Sequence, residues 1–162
     1  MHACGRVDLA EFERPTLALG VEIPVRPDQL FEILEDAEAW PQWLTAITNV
    51  TWTSPEPKGV GTTRTVEIGS GFVADEEFIG WEANRRMAFR FAGCSRPVFR
   101  SFAEDYRIVP TDNGCRLTWS VVARPRGIPE PLLKLMGPLL RLSLRRNLIR
   151  LRAYATARFG NA

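Results

Sequence analysis

The 162-residue chain contains a single histidine, His2, almost at its N-terminus. A Ser-His-Asp type of triad, like a His-ligated metal centre, needs an imidazole held inside the fold, so the sequence argues against both. Cysteine is nearly as scarce. Cys4, Cys94 and Cys115 are odd in number, widely separated and unaccompanied by any CxxC or Cys/His cluster, which argues against a structural zinc site. No metal and no cofactor is expected. No apolar run reaches the roughly 18 residues that a membrane-spanning helix needs. The opening "MHACGRVDLAEFERP" lacks the apolar core of a secretory signal, and the chain reads as cytoplasmic. The net charge is only +2, too mild to suggest a nucleic-acid partner. Internal repeats and low-complexity segments are absent.

What is present is an ordinary globular composition, 45% apolar and 25% charged, in a length that fits one domain with a sizeable core. Residues 1–13 read as a flexible N-terminal arm and residues 14–159 as the single domain. "TLALGVEI" (Thr16–Ile23) alternates and reads as a half-buried strand. In "PVRPDQLFEILED", Pro27 suits a first helical turn, Asp28 and Glu32 sit near the positive end of the dipole, and Leu30, Phe31 and Leu34 form a stripe. Asp36 can cap a second short helix, bent at Pro41 within "EAWPQWL". Six strands follow, separated by "PEPKGVG", Gly69-Ser70-Gly71, "EANRR", "CSRP" and "PTDNG", and after "RPRGIP" the chain turns helical to about Phe159. Hairpin-linked strands with a segregated helix specify an α+β fold, with the long helix laid across the concave side of a curved antiparallel sheet.

Strand geometry sorts the faces. A four-residue turn at Thr111–Gly114 sets Tyr106 opposite Trp119 and Glu104 opposite Val121. Phe102, Glu104, Tyr106, Leu117, Trp119 and Val121 then face inward, and Asp105, Arg107, Arg116 and Thr118 face solvent. One hairpin earlier, a five-residue turn sets Trp81 opposite Met87 and Ile79 opposite Phe89. That register turns Glu77, Ile79, Trp81, Met87, Phe89 and Phe91 inward, pairs Glu76 with Arg64 on the outside and leaves Arg90 exposed. A four-residue turn would shift it by one and send Phe78 inside, so the orientation of Glu77 stays open. A buried carboxylate must be neutral, paired or hydrogen-bonded, which makes Glu77 and Glu104 candidates for a polar spot in a cavity, or else members of a buried ion pair.

In the terminal helix, Leu133, Met136, Leu140, Leu144, Leu148, Leu151 and Ala155 form a stripe facing the sheet. Lys134, Arg141, Arg145 and Arg152 flank it, and past Pro129 seven Lys/Arg residues face Glu130 alone. Leu132, Leu135, Leu139 and Leu142 lie on the other side, which fits packing under a loop, a homodimer contact or a movable lid. The arginine flank is a solvated face or, as a weak membrane contact or a ligand contact, an attractor of anionic lipid or of an anionic ligand. Gly137-Pro138 should kink or break the helix.

The stretches "EIPVRPDQLFEILEDAEAWPQWL", "GVGTT", "EEFIGWEANRRMAF" and "FAEDYRIVPTDNGCRLTW", spanning about Arg14 to Phe159, resemble the helix-grip superfamily of START-type lipid-transfer domains, birch-pollen-type allergens and polyketide cyclases. Together they look like its bacterial polyketide-cyclase/dehydrase-type (SRPBCC) branch. The resemblance implies a curved seven-stranded antiparallel sheet wrapped around the long helix, with two short helices closing one end of the cup. Trp40 and Trp43, on one short turn, then form a rigid apolar plug, either as core filler or touching a cavity.

Fold does not give function, and members include binders, transporters and cyclases. The leading expectation is a protein that binds or transports a hydrophobic small molecule: a lipid, polyketide or aromatic metabolite. Its cavity would be lined by Trp43, Trp81, Phe89, Phe102, Glu104, Tyr106, Trp119, Met136, Leu140 and Leu144. The alternative is a polyketide cyclase, aromatase or dehydratase with Glu77, Glu104 and Tyr106 as candidate acid/base groups, since a shaped pocket supplies much of such catalysis by proximity. The residues lean towards binding. A third reading is an interaction module with a filled interior.

Overall fold

The computed structural model describes residues 1–69 and 71–160, without the side chains of Glu130, Pro131, Leu133 and Lys134. The strands are β1 (His2–Ala3), β2 (Leu17–Ile23), β3 (Ile47–Trp52), β4 (Thr63–Ile68), β5 (Phe72–Glu82), β6 (Arg86–Cys94), β7 (Phe99–Thr111) and β8 (Gly114–Pro125). Two short helices, α1 (Pro27–Glu35) and α2 (Trp40–Trp43), follow β2, and α3 (Glu130–Phe159) closes the chain. Seven strands form one antiparallel sheet in the order β2-β8-β7-β6-β5-β4-β3. The C-terminal half of α3 packs against β2, α1 and α2, and its Leu148, Leu151 and Ala155 join the main core. This is the helix-grip architecture. Among the described residues no helix is long and apolar enough to cross a membrane.

Local chemistry explains most boundaries. Pro27 occupies the first turn of α1, where its missing N–H costs nothing, and Leu30, Phe31, Ile33 and Leu34 bury one face. Trp40 opens α2 and donates its indole N–H to the Leu34 carbonyl at 3.0 Å, fixing the angle between the two helices. The β7–β8 hairpin has the expected register, Tyr106 opposite Trp119 and Glu104 opposite Val121. Gly114, at φ 138°, lies so close to the Ile23 carbonyl that a side chain there would clash.

Four expectations need correction. The β5–β6 turn does set Trp81 opposite Met87, but a bulge at Ile79 places Phe78, not Ile79, opposite Phe89. Upstream of the bulge every side chain changes face. Glu76 therefore points into the core, where it meets Arg64, and Glu77 points out and pairs with Arg90. The segment 1–13, read as a flexible arm, lies against the sheet. Its β1 pairs with the end of β6, and Val7 and Phe12 bury themselves on the outer face with Ala88, Ala103 and Val122. That cover also explains Asp105, expected in solvent: it is fully buried on the outer face, with Arg86 on both its oxygens and Arg107 on one. Finally, of the kink or break expected at Gly137-Pro138, the break is absent: α3 is one helix from Glu130 to Phe159 with Pro138 inside it. Pro138 forfeits one hydrogen bond to the preceding turn, and the flanking leucines and arginines, good helix formers, carry the helix through.

Candidate ligand site

The inner face of the sheet presents one ring from each of three neighbouring strands. Phe89 of β6, Tyr106 of β7 and Trp119 of β8 stack nearly parallel, with centroids 6.1 Å and 5.3 Å apart. Alternation along each strand puts them on one face; Tyr106 stands directly opposite Trp119, and Phe89, paired with Glu104, lies diagonally across from Tyr106. The tryptophans of α2 stand edge-on upon this platform: Trp40 meets Tyr106 at 5.6 Å and Trp43 meets Trp119 at 6.0 Å, the two indoles themselves being 5.0 Å apart. Each such aromatic contact contributes about 0.5–1.5 kcal/mol beyond the area it buries. The plug is therefore anchored, and both indoles are fully buried.

A charged group sits under the plug. Arg64 of β4 is 1% exposed, and its guanidinium carbon lies 4.2 Å from the Trp40 ring and 4.6 Å from that of Phe89, with Phe78 and Trp52 close behind. Its Nε donates to Glu76 Oε2. Burial alone pushes the Glu76 pKa up, and Arg64 pulls against that. Cation–π attraction and the ion pair together offset the desolvation that a buried guanidinium costs. Among the described residues, neither Nη of Arg64 has a hydrogen-bond partner, nor has the indole N–H of Trp43 or of Trp119. Unpaired donors inside a protein cost about 1–3 kcal/mol each, so several of them within one aromatic interior ask for an acceptor.

Beside this cluster, Glu104 accepts a 2.6 Å hydrogen bond from the Tyr106 hydroxyl. The two are neighbours on one face of β7, two residues apart. Burial raises the Glu104 pKa to about 8, the charge of Glu76 adds to the rise, and Tyr106 and Arg64 oppose it. Trp119 also favours the ionised form slightly from nearby, without closing a hydrogen bond of good geometry. Burial and Glu104 both push the Tyr106 phenol well above its ordinary value. At neutral pH the spot thus offers a protonated carboxyl, a phenol, a guanidinium and two indole N–H groups, all within aromatic walls. Such a set can hold a carbonyl, enol or phenol oxygen and stabilise negative charge on it.

Of the expected lining, Trp43, Phe89, Glu104, Tyr106 and Trp119 come together here. Trp81 belongs to an adjoining aromatic group with Phe31, Trp52 and Phe78, and Phe102 to another with Phe91 and Phe99. Leu144 packs at the margin of the main core. Met136 and Leu140 do not join it, because the first half of α3 stands off the sheet and leaves both exposed, with Leu135 at 76% and Leu139 at 67%. Leu133, placed on the same stripe, lies outside the described side chains. Glu77, a candidate acid/base group, is on the outer face. Arg64 and Glu76 were missed, although the signal was there: Arg64 shares strand parity with Val66 and Ile68, the apolar side of β4. Two hollows, of about 800 Å³ and 410 Å³, open beside α3.

The profile of the family described as polyketide cyclase / dehydrase and lipid transport matches residues 14–156. Uncharacterised proteins of Mycobacterium tuberculosis and Mycobacterium bovis are 52% identical over 164 aligned positions, covering all of this chain and 98% of theirs. A START superfamily protein from Mycobacterium smegmatis superposes with a TM-score of 0.68 at 18% identity, over 82% of this chain and 92% of that one. The di-domain ARO/CYC StfQ of the steffimycin biosynthetic pathway gives 0.70 at 13% identity, over 88% of this chain and 51% of its own.

Proposed function

The chain belongs to the polyketide cyclase / dehydrase and lipid transport family, and from that premise we propose that it binds a mainly apolar small molecule carrying at least one acceptor oxygen. The observation that carries the reading is a set of buried donors without a partner among the described residues, Arg64 Nη1 and Nη2, Trp43 Nε1 and Trp119 Nε1, in the same aromatic interior as Glu104, whose pKa burial raises to about 8. A core built only for stability would be filled with apolar side chains, because unpaired donors weaken it. The ligand's oxygen takes the donors, and its apolar body displaces the rings that now touch one another. The first half of α3, with its exposed leucines, is the wall least held by the core and gives way most easily.

Titration with an environment-sensitive apolar dye, read through the quenching of Trp43 and Trp119, tests the reading. Trp119→Ala should change affinity or the size range of ligands accepted, and Arg64→Met should weaken oxygen-bearing ligands selectively. If both folded variants bind as the wild type does, the interior is a filled core and the reading falls.

One observation favours a second reading, a cyclase or dehydratase. A carboxyl held near pH 8 and bonded to a phenol can exchange a proton at neutral pH, as general acid/base chemistry requires. Glu104→Gln separates the two. A binder keeps its affinity within about 1–3 kcal/mol, the scale of one polar contact. An enzyme loses roughly 10²–10⁴ in rate while still binding.

A further inference from the structure

The larger hollow beside α3 is not the space under the tryptophans. It is an open groove of about 800 Å³ between α3 and β2, the edge strand of the sheet. Its apolar wall includes Leu19 and Val21 of β2 and Leu142, Leu148 and Ile149 of α3. Its rim carries Arg116, Arg141, Arg145 and Arg152. Glu22 is the one carboxylate on that rim, and it is bound to Arg116 at 2.9 Å. Among the described residues Arg141, Arg145 and Arg152 form no ion pair. Arg141 and Arg145 are one helical turn apart, where like charges repel. Arg152 continues into the smaller hollow of about 410 Å³, which shares Glu22 with the first.

A face evolved only for solubility would mix signs and hide its apolar residues. Here Ile149 is 55% exposed and Leu142 44% exposed, side by side with a stripe of uncompensated guanidinium groups. We propose that this groove is a second binding site, for a single-chain anionic amphiphile: an alkyl chain lies along Leu142 and Ile149, and a phosphate or carboxylate head is held by Arg141, Arg145 and Arg152. Guanidinium groups meet either head through paired N–H···O contacts, and the volume is that of an ordinary small-molecule site. The site lies outside the aromatic core, so it stands or falls separately from the interior reading.

The test is a heteronuclear NMR titration of the full chain with monododecyl phosphate below its micelle concentration. Dodecanoate, dodecan-1-ol and inorganic phosphate are run alongside. Shifts are expected at the Leu142 and Ile149 methyls and at the Arg145 Nε–H. Arg141→Gln and Arg145→Gln should each weaken the phosphate ester roughly tenfold, with further weakening at high salt, and Ile149→Asn should weaken it comparably. All three side chains are exposed, so the substitutions should leave the fold intact. Equal binding of dodecanoate identifies a general anionic head, and its failure restricts the site to phosphate. The proposal is overturned if the alcohol binds as well as the ester, if inorganic phosphate alone gives the same affinity, or if the arginine variants bind unchanged. Shifts at the Met87 and Leu117 methyls instead would place the probe in the interior and also overturn it.

Discussion

Glu104 should make the protein less stable as the pH rises through the neutral range, and Glu104→Gln should abolish that loss. The carboxyl is 8% exposed, and burial lifts its pKa from 4.5 to about 8. Between those values the native chain keeps a proton that the unfolded chain has released. The native state thus binds more protons, and its stability falls with increasing pH. Below about pH 4.5 the contribution is whole; above about pH 8 it is gone. At about 1.4 kcal/mol per pH unit, the interval amounts to on the order of 5 kcal/mol. A domain of this kind has about 5–15 kcal/mol in total, so the effect decides whether it is folded at alkaline pH.

Glutamine preserves the shape, cannot ionise, and still offers an oxygen to the Tyr106 hydroxyl. Arg64, Glu76, Tyr106 and Trp119 face this position in both proteins, and their coupling to an ionised Glu104 is part of the effect that the substitution removes. Urea unfolding followed by circular dichroism at intervals from pH 5 to pH 9 provides the measurement. The two proteins should agree within about 1 kcal/mol at pH 5, the scale of one altered hydrogen bond, and the variant should be the more stable by several kcal/mol at pH 9. Parallel stability curves across that range would refute the reasoning, because Glu104 would then titrate alike in both states.

Two further outcomes follow from the core. Phe78→Ala should cost about 3–5 kcal/mol in urea unfolding, and Ile79→Ala clearly less, because the bulge buries Phe78 completely and sends Ile79 to the outer face; a larger loss at Ile79 would contradict the register. Arg64→Met alone should cost about 3–5 kcal/mol by stranding Glu76, whereas Arg64→Met with Glu76→Gln should recover most of that loss; additive losses would mean that the two side chains do not act as a pair.

The amount legible in the sequence differed by element, for physical reasons. In the β7–β8 hairpin a short turn leaves no freedom of register, and large apolar side chains at Tyr106, Leu117 and Trp119 mark the inner face, so the pairing followed from counting. The stripe of α1 was equally plain. The N-terminal segment was opaque because its anchors, Val7 and Phe12, are isolated apolar residues without periodicity, and what they cover became visible only once the sheet existed. The stripe of α3 was read as continuous, yet only its C-terminal half meets the sheet. Periodicity identifies a face; it does not say how far the partner surface extends.

The misplacement of Glu76 and Glu77 has a sharper cause, and it lies at the candidate site itself. The β4–β5 hairpin pairs Arg64 with Glu76 and Val66 with Ala74, which turns the even-numbered residues of β5 inward. The β5–β6 hairpin pairs Trp81 with Met87 and turns an odd-numbered residue inward. A regular strand cannot satisfy both, because its side chains alternate strictly. The chain resolves the conflict with an extra residue at Ile79, which changes the parity once and lets Phe78 and Trp81 both face the core. Had β5 been regular, Glu77 would have faced the core beside Phe89, and Arg64 would have lost its partner. The bulge therefore selects which glutamate lies under the tryptophans. A departure from local regularity that brings a charged pair into an aromatic interior weakens the core unless another interaction benefits, and such departures concentrate at functional sites. On the binding reading proposed above, the benefit is the position of the Arg64 guanidinium, held by Glu76 through Nε, with neither Nη paired among the described residues.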